Sequence, residues 1–462
     1  MFARVGLLAL YWSAFDATMP PNYRLQKEKL VKDVFQSLQA QNLDVVYPGL
    51  VTDETSGASV SEVFQSVDVV VVVPTMACPA AFGWAALSRV LMLPVVIWNM
   101  GALGEIDEEF NAEDLVRHSS NVGTVMLANV LRRHGTRFRV CTVRSKNPDS
   151  YLKAGRVVKT AAVASKLKKA RLGMIGPPIA GYLNVIVDQS AVDALGITLV
   201  EIPRAEHDLA YASVTDAEVE RITGEIADRS CIEVADEELA LSARLTATLV
   251  NLVRTNRLDG GTVNCRTDFF LNNPKIGIVA CVAVSYLLSR GVPFTCTGDL
   301  PAAIAELMLK LLGLPAQWCE CNVIDLAGDY VLLSTTGEGD PVLAADHGPV
   351  RLVKNRRFDK KGCGTCFQYG FASGDATLIG LSPQPTVEGG WMLTIAEGRL
   401  IDRYFPKIGV PNGAFAFCRD TAASLDAWHE SGPTHHSIVT LGHQAELLSN
   451  LAYFLGIETT CV

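Results

Sequence analysis

Three short segments carry residues able to bind a hard cation and to move a proton. They are Cys296-Thr297-Gly298-Asp299, Trp318-Cys319-Glu320-Cys321 and Thr434-His435-His436-Ser437. The first two are expected at the ends of parallel strands, where open α/β sheets hold their ligands, and the third in a β-rich C-terminal region. A divalent ion bound by carboxylate and imidazole can hold two vicinal sugar oxygens and polarise a carbonyl, which eases proton abstraction at the adjacent carbon. Each segment alone is ordinary. A Glu near a strand end is usually a solvated rim residue, and adjacent histidines are often structural.

Other chemistries have less behind them. The glycine-rich patches MIGPPIAGY (from Met174), NMGALGE (from Asn99) and KKGCGTC (from Lys360) do not fit a dinucleotide fingerprint, and no Walker motif or nucleophile elbow is present. Cys319 and Cys321 form a C-x-C, and Cys363 and Cys366 a C-x-x-C. Four thiolates can close a zinc site, but the first pair sits in a strand-like run and the second does not follow a β-α unit. Buried, unreactive thiols are the better reading, for Cys296 as well. Trp12, Trp98 and Trp318 could line a sugar cleft, although Trp is more usually core.

The elements that must position these residues alternate between strand and helix. Ala3–Trp12, Asp44–Val51, Val67–Met76, Pro94–Met100 and Arg137–Val143 read as strands. Tyr23–Gln41 reads as an amphipathic helix with Leu25, Leu30, Val34, Phe35 and Leu38 on one side, and Pro79–Met92 and Asn121–Gly135 as further helices. Such alternation predicts a doubly wound parallel sheet. The basic stretch Tyr151–Arg171 reads as a solvated interdomain segment. The pattern then restarts, with Lys275–Arg290 and Pro301–Leu312 as helices. From about Pro341, short β-like runs between Gly, Pro and Asp turns replace the helical periods. The expected architecture is α/β: two doubly wound, Rossmann-like domains over 1–168 and 169–340, and an antiparallel β-rich domain over 341–462.

Composition narrows the class. A chain of 462 residues, 49% hydrophobic and 19% charged, can bury several cores and is not disordered. A net charge of -9 repels phosphate backbones, so no nucleic-acid partner is expected. The apolar run Val5–Trp12 is too short for a signal peptide, and no window reaches the ~18 apolar residues of a membrane helix. Twelve cysteines without a secretory signal suggest reduced thiols in the cytoplasm.

Beyond these patterns, the chain resembles the L-fucose isomerase/L-arabinose isomerase superfamily of aldose-ketose isomerases over nearly its whole length. The resemblance rests on TVNCRTDFF (from Thr262), PFTCTGDLPAAIAELMLKLLG (from Pro293), GPTHHSIVTLGHQAELLSNLAYFLGIE (from Gly432) and the helix NVGTVMLANVLRRHG. It implies a Mn²⁺-type ion, or another divalent metal, held by two carboxylates and a histidine. Glu320 matches the second carboxylate and His436 the histidine. Asp299 matches the aspartate of a C-E-G-D-like turn, and Asn264 a polar substrate-facing position. The first carboxylate position is Thr297, which is neutral and cannot act as a general base. Glu320 is then expected as metal ligand and base, Asp299 or a metal-bound water in the second catalytic role, and Thr297 and Asn264 as substrate contacts. The resemblance implies a homo-oligomer with sites between subunits. The expected function is metal-dependent isomerisation of a sugar or sugar derivative through an enediol. The same scaffold could run lyase, epimerase, decarboxylase or dehydratase chemistry on a sugar acid, or bind sugars without chemistry.

Overall fold

The computed structural model describes residues 3–345, 348–357, 363–386 and 390–462. The Lys360–Gly362 part of one glycine-rich patch lies outside them. The chain divides into two compact units, 1–166 with 449–455, and 167–448 with 456–462. It is an α/β protein with two parallel sheets and a separate, mostly antiparallel one.

The first unit holds a six-stranded parallel sheet in the order Asp44–Val46, Arg4–Leu10, Val69–Pro74, Val95–Ala102, Phe138–Arg144, with Leu50–Val51 also pairing the Arg4–Leu10 strand. The strand Val69–Pro74 is buried at every residue, as its unbroken valine run requires of a strand covered on both faces. The helix Tyr23–Ala40 buries Tyr23, Lys27, Val31, Val34 and Leu38, so Val34 and Leu38 lie inward as expected, Leu30 and Phe35 are half-buried, and Leu25 is 64% exposed. Lys27 can join that stripe because its ammonium donates to the carbonyls of Thr75 (2.7 Å) and Arg117 (2.6 Å). The stretch read as a solvated segment is also corrected. Pro148–Leu167 is a helix, and Ala154, Val158, Ala161 and Ala162 bury its apolar side.

The second unit holds a four-stranded parallel sheet in the order Phe294–Thr295, Gly260–Val263, Arg171–Ile175, Thr198–Glu201. The helix expected over 275–290 is confined to Cys281–Leu288. Its other large sheet runs Gly374–Pro383, His436–Leu441, Gln317–Asp325, Tyr330–Ser334, Asn412–Phe417, Trp391–Ile401, and the first and last of these strands pair antiparallel. Six antiparallel strands therefore close into a barrel, with Glu458–Cys461 added in parallel at Trp391–Ile401. The strands at 317–325 and 330–334 put this sheet on both sides of residue 340. Glu320 thus lies on an antiparallel barrel strand, not at the end of a parallel strand as expected. The helix Leu300–Leu311 is buried from Leu300 to Leu309, as an almost wholly apolar sequence demands. No helix among the described residues is long and apolar enough to cross a membrane.

Candidate metal site

Glu320 and His436 face each other directly across two antiparallel barrel strands, so their side chains share one face of the sheet. His436 Nε2 stands 3.9 Å from Glu320 Oε1. The imidazole lies against the Trp318 ring, centroid to centroid 4.3 Å, and is 1% exposed. Its Nδ1 meets Asp299 Oδ2 at 2.6 Å, while Nε2 is buried and has no hydrogen-bond partner.

Asp299 closes the turn that follows the short strand Phe294–Thr295. Thr297 and Gly298 both take left-handed backbone angles, φ 66° and 80°. The turn is held by Gly298 N–H donating to Val263 O (3.0 Å) and Ile179 N–H to Thr297 O (3.2 Å). Asp299 then caps the helix Leu300–Leu311, its Oδ1 accepting from Ala302 N–H at 2.9 Å. One oxygen serves the cap and the other His436, and the residue is 0% exposed. Asp299 therefore cannot meet a substrate, and the expectation that it is a second catalytic group is corrected: it is a positioning residue for His436.

Glu320 Oε2 accepts from Arg357 Nη2 at 2.8 Å and from Asn322 Nδ2 at 3.0 Å. Arg357 Nη1 in turn donates to Ser334 Oγ (3.1 Å) and to the carbonyl of Thr335. These bonds hold one edge of the carboxylate and leave Oε1 turned toward His436. A cavity of about 520 Å³ opens in front, lined among others by Asn264, Thr297, Glu320, Thr336, Arg357 and His435. That volume suits a small ligand. Thr297 Oγ bonds its neighbour's carbonyl at 2.7 Å. Asn264 is pinned by donating to Pro177 O (2.6 Å) and accepting from Arg266 N–H (3.1 Å).

Asp299, His435 and His436 each offer a ligand atom within 4.8 Å of the others, a group among the described residues that could hold a metal ion and that does not include Glu320. Asp299 carries the carboxylate that orients a ligating histidine, which leaves His436 Nε2 as the donor, with Glu320 Oε1 beside it. His435 is exposed, its Nδ1 2.7 Å from Asn184 Nδ2. Of the thiol pairs, Cys319, Cys363 and Cys366 are buried, and none of the twelve cysteines forms a disulfide. Trp98 and Trp318 are buried, whereas Trp12 is 36% exposed.

Glu320, Thr297 and Asn264 line one cavity, with His436 behind it. Arg357 was missed from sequence, and only its position in the run KNRRF could have drawn notice. Glu338 was missed too. It is 1% exposed, bonds Thr336 Oγ at 2.7 Å behind the cavity wall, and burial pushes its carboxyl above the usual range.

No protein-family model matches the chain, and no curated protein is significantly similar to it. Among solved structures, an arginase from Bacillus subtilis aligns over 67% of this chain and 98% of its own at 9% identity, with a TM-score of 0.17. A D-lactate dehydrogenase of Salmonella aligns over 67% and 95% at 9% identity, with a TM-score of 0.14.

Proposed function

We propose that the protein is a divalent-metal-dependent isomerase of a sugar or sugar derivative, on a scaffold like that of the L-fucose and L-arabinose isomerases. It works in the cytoplasm as a homo-oligomer. The observation that carries the reading is the pair His436 Nε2 and Glu320 Oε1, 3.9 Å apart, with the imidazole nitrogen buried and unpartnered. A buried ring nitrogen fixed in orientation by a carboxylate and left without a partner is what a metal ligand requires. His436 and Glu320 would hold Mn²⁺ or another divalent ion, which supplies polarisation of the substrate carbonyl and so acidifies the adjacent C–H.

Asp299 holds the His436 ring so that Nε2 faces the site. Glu320 takes the proton from the carbon beside the carbonyl and returns it to the former carbonyl carbon, through an enediol, while the hydroxyl proton on the first of these carbons passes through solvent to the former carbonyl oxygen. Arg357 and Asn322 keep its other oxygen in position. The Thr297 hydroxyl and the Asn264 amide contact substrate oxygens.

Glu320 is the one carboxylate among the cavity's described lining residues. That observation favours a second reading, in which the same site runs one-base enolate chemistry, an epimerisation, dehydration, decarboxylation or cleavage.

The test combines Mn²⁺ binding by electron paramagnetic resonance with solvent deuterium exchange into a panel of aldoses, ketoses and sugar acids. Binding by the wild type, its loss in Glu320→Gln and deuterium at one carbon of an otherwise unchanged sugar are expected. A folded wild type that binds no Mn²⁺ removes the reading, and a product of altered mass selects the second.

A further inference from the structure

We infer that Cys265 and Cys296 are a peroxide-sensitive thiol pair in the cavity wall, and that the disulfide they form disengages the site. The two sulfurs stand 3.8 Å apart. They come from neighbouring parallel strands, Cys265 two residues past Gly260–Val263 and Cys296 one residue past Phe294–Thr295. Both line the cavity of about 520 Å³ that Thr297 and Glu320 also line, so an oxidant as small as hydrogen peroxide can reach them.

The pair is asymmetric. Cys265 Sγ accepts from Ala280 N–H at 3.2 Å and from the Cys296 thiol. Donors converging on a sulfur are the setting of an attacking sulfur. Cys296 donates, and that bond, together with burial, holds its thiol well above the usual range. Cys265 gives its proton to cavity water and its sulfur attacks one peroxide oxygen. The O–O bond breaks, and the departing hydroxide takes up a proton and leaves as water. Cys296 then attacks the Cys265 sulfenic acid: the S–S bond forms, the S–O bond breaks, and the released hydroxide takes the Cys296 proton. Two thiols are oxidised to one disulfide, and one peroxide is reduced to two waters.

The strain falls on the turn that carries Asp299. To bond, the sulfurs must close from 3.8 Å to ~2.05 Å. Cys265 is tied at its sulfur and at its carbonyl, which accepts from Leu271 N–H at 3.1 Å. Cys296 opens the turn, and its carbonyl accepts from Asp299 N–H at 3.2 Å. Movement at Cys296 is therefore passed to Asp299, whose carboxylate orients His436. The disulfide rests on the sulfur geometry alone; its effect on a metal rests on the reading above.

The experiment treats the full-length protein with hydrogen peroxide, alkylates the remaining thiols and maps the unreduced digest by mass spectrometry. A Cys265–Cys296 crosslinked peptide is expected, reversed by dithiothreitol, at doses that leave the exposed Cys231, Cys418 and Cys461 mostly free. In Cys296→Ser, Cys265 should stop at the sulfenic acid and be trapped by dimedone, and Cys265→Ser should give neither product. If neither variant folds, the wild-type map decides alone. Cys265 and Cys296 that stay alkylatable at doses raised until the exposed cysteines oxidise overturn the inference. Mn²⁺ affinity should fall by about 10-fold or more on oxidation and return on reduction. Faster hydrogen exchange at Ala302 N–H, which Asp299 caps at 2.9 Å, reads the shift of the turn without any metal. A disulfide that changes neither readout overturns the disengagement. Reduced protein that binds no Mn²⁺ sinks the metal reading instead, and the peptide map and the Ala302 exchange still decide this one.

Discussion

His436 Nδ1 and Asp299 Oδ2 meet at 2.6 Å across 137 positions of sequence, and both side chains are wholly shielded from solvent. One residue ends a turn of the parallel-sheet layer and the other begins a barrel strand. The contact fixes the ring so that Nε2, 3.9 Å from Glu320 Oε1, is the nitrogen that faces that carboxylate.

Asp299→Asn tests that division of labour. Asparagine caps a helix about as well as aspartate, so the start of Leu300–Leu311 should be preserved. What is lost is a charged acceptor for Nδ1–H. Mn²⁺ affinity should fall by about 10- to 100-fold while the far-ultraviolet circular dichroism stays unchanged. Unaltered affinity in the folded variant would remove the orienting role.

Thr297 is a β-branched residue held at φ 66°, a region that costs such residues about 1–2 kcal/mol. Thr297→Gly removes that cost, and its own loss of backbone entropy offsets part of the gain. Urea denaturation should find the variant as stable as the wild type or up to about 1 kcal/mol more stable. Its turnover of the substrate should fall, because the hydroxyl facing the cavity is gone. A variant that is both less stable and fully active would mean that Thr297 serves the fold and not the site.

What could be read in the sequence follows from how far each feature depends on distant partners. The valine run at 69–74 announces a fully buried strand by itself, and β-α alternation announces the parallel sheets. The turn Cys296–Asp299 carried its own signal in a glycine before an aspartate and an apolar helix. Glu320 and His436 could be picked out as residue types, but their register depends on two strands brought together from positions far apart. Barrel closure has no local signature. Its strands at 317–325 and 330–334 sit just after a helical run and were read with the parallel layer. Asp299 was misassigned because sequence cannot say that both its oxygens are already occupied. Arg357 was invisible because a lone arginine acquires meaning only from the carboxylate beside it.

Glu306 offers a pH test. It is wholly buried in the helix Leu300–Leu311, and burial pushes its carboxyl well above the usual range, with the Asp340 carboxylate adding to the effect. A group whose pKa is raised by folding stabilises the native state fully below its unfolded value and loses that contribution as pH rises toward the folded one. Wild-type stability should therefore carry a downward slope above the ordinary glutamate range, at most about 1.4 kcal/mol per pH unit from this group. Glu306→Gln keeps the shape and cannot ionise. Its stability relative to the wild type should grow as pH rises, in urea melts run from mildly acidic to mildly alkaline buffer. A difference that stays constant across that range would show that Glu306 is not held protonated.

Gly298 tests whether the turn acts on the site through Asp299. Its φ is 80°, and a Cβ there would come within 2.5 Å of Pro178 Cα and 2.9 Å of Pro178 N. Both atoms are backbone and cannot swing aside, so Gly298→Ala has to move the turn. The expected cost is about 2 kcal/mol or more, from strain and the clash together. Moving the turn draws the Asp299 carboxylate away from His436, so Mn²⁺ binding should weaken as it does in Asp299→Asn. If both substitutions act on the same contact, their effects on binding cannot add. The double variant should bind Mn²⁺ about as weakly as the weaker of the two singles, while its folding stability still carries the full cost of the alanine. Additive losses in binding would mean that Gly298 reaches the metal site by another route, with the Thr297 end of the turn, which faces the cavity directly, the next element to test.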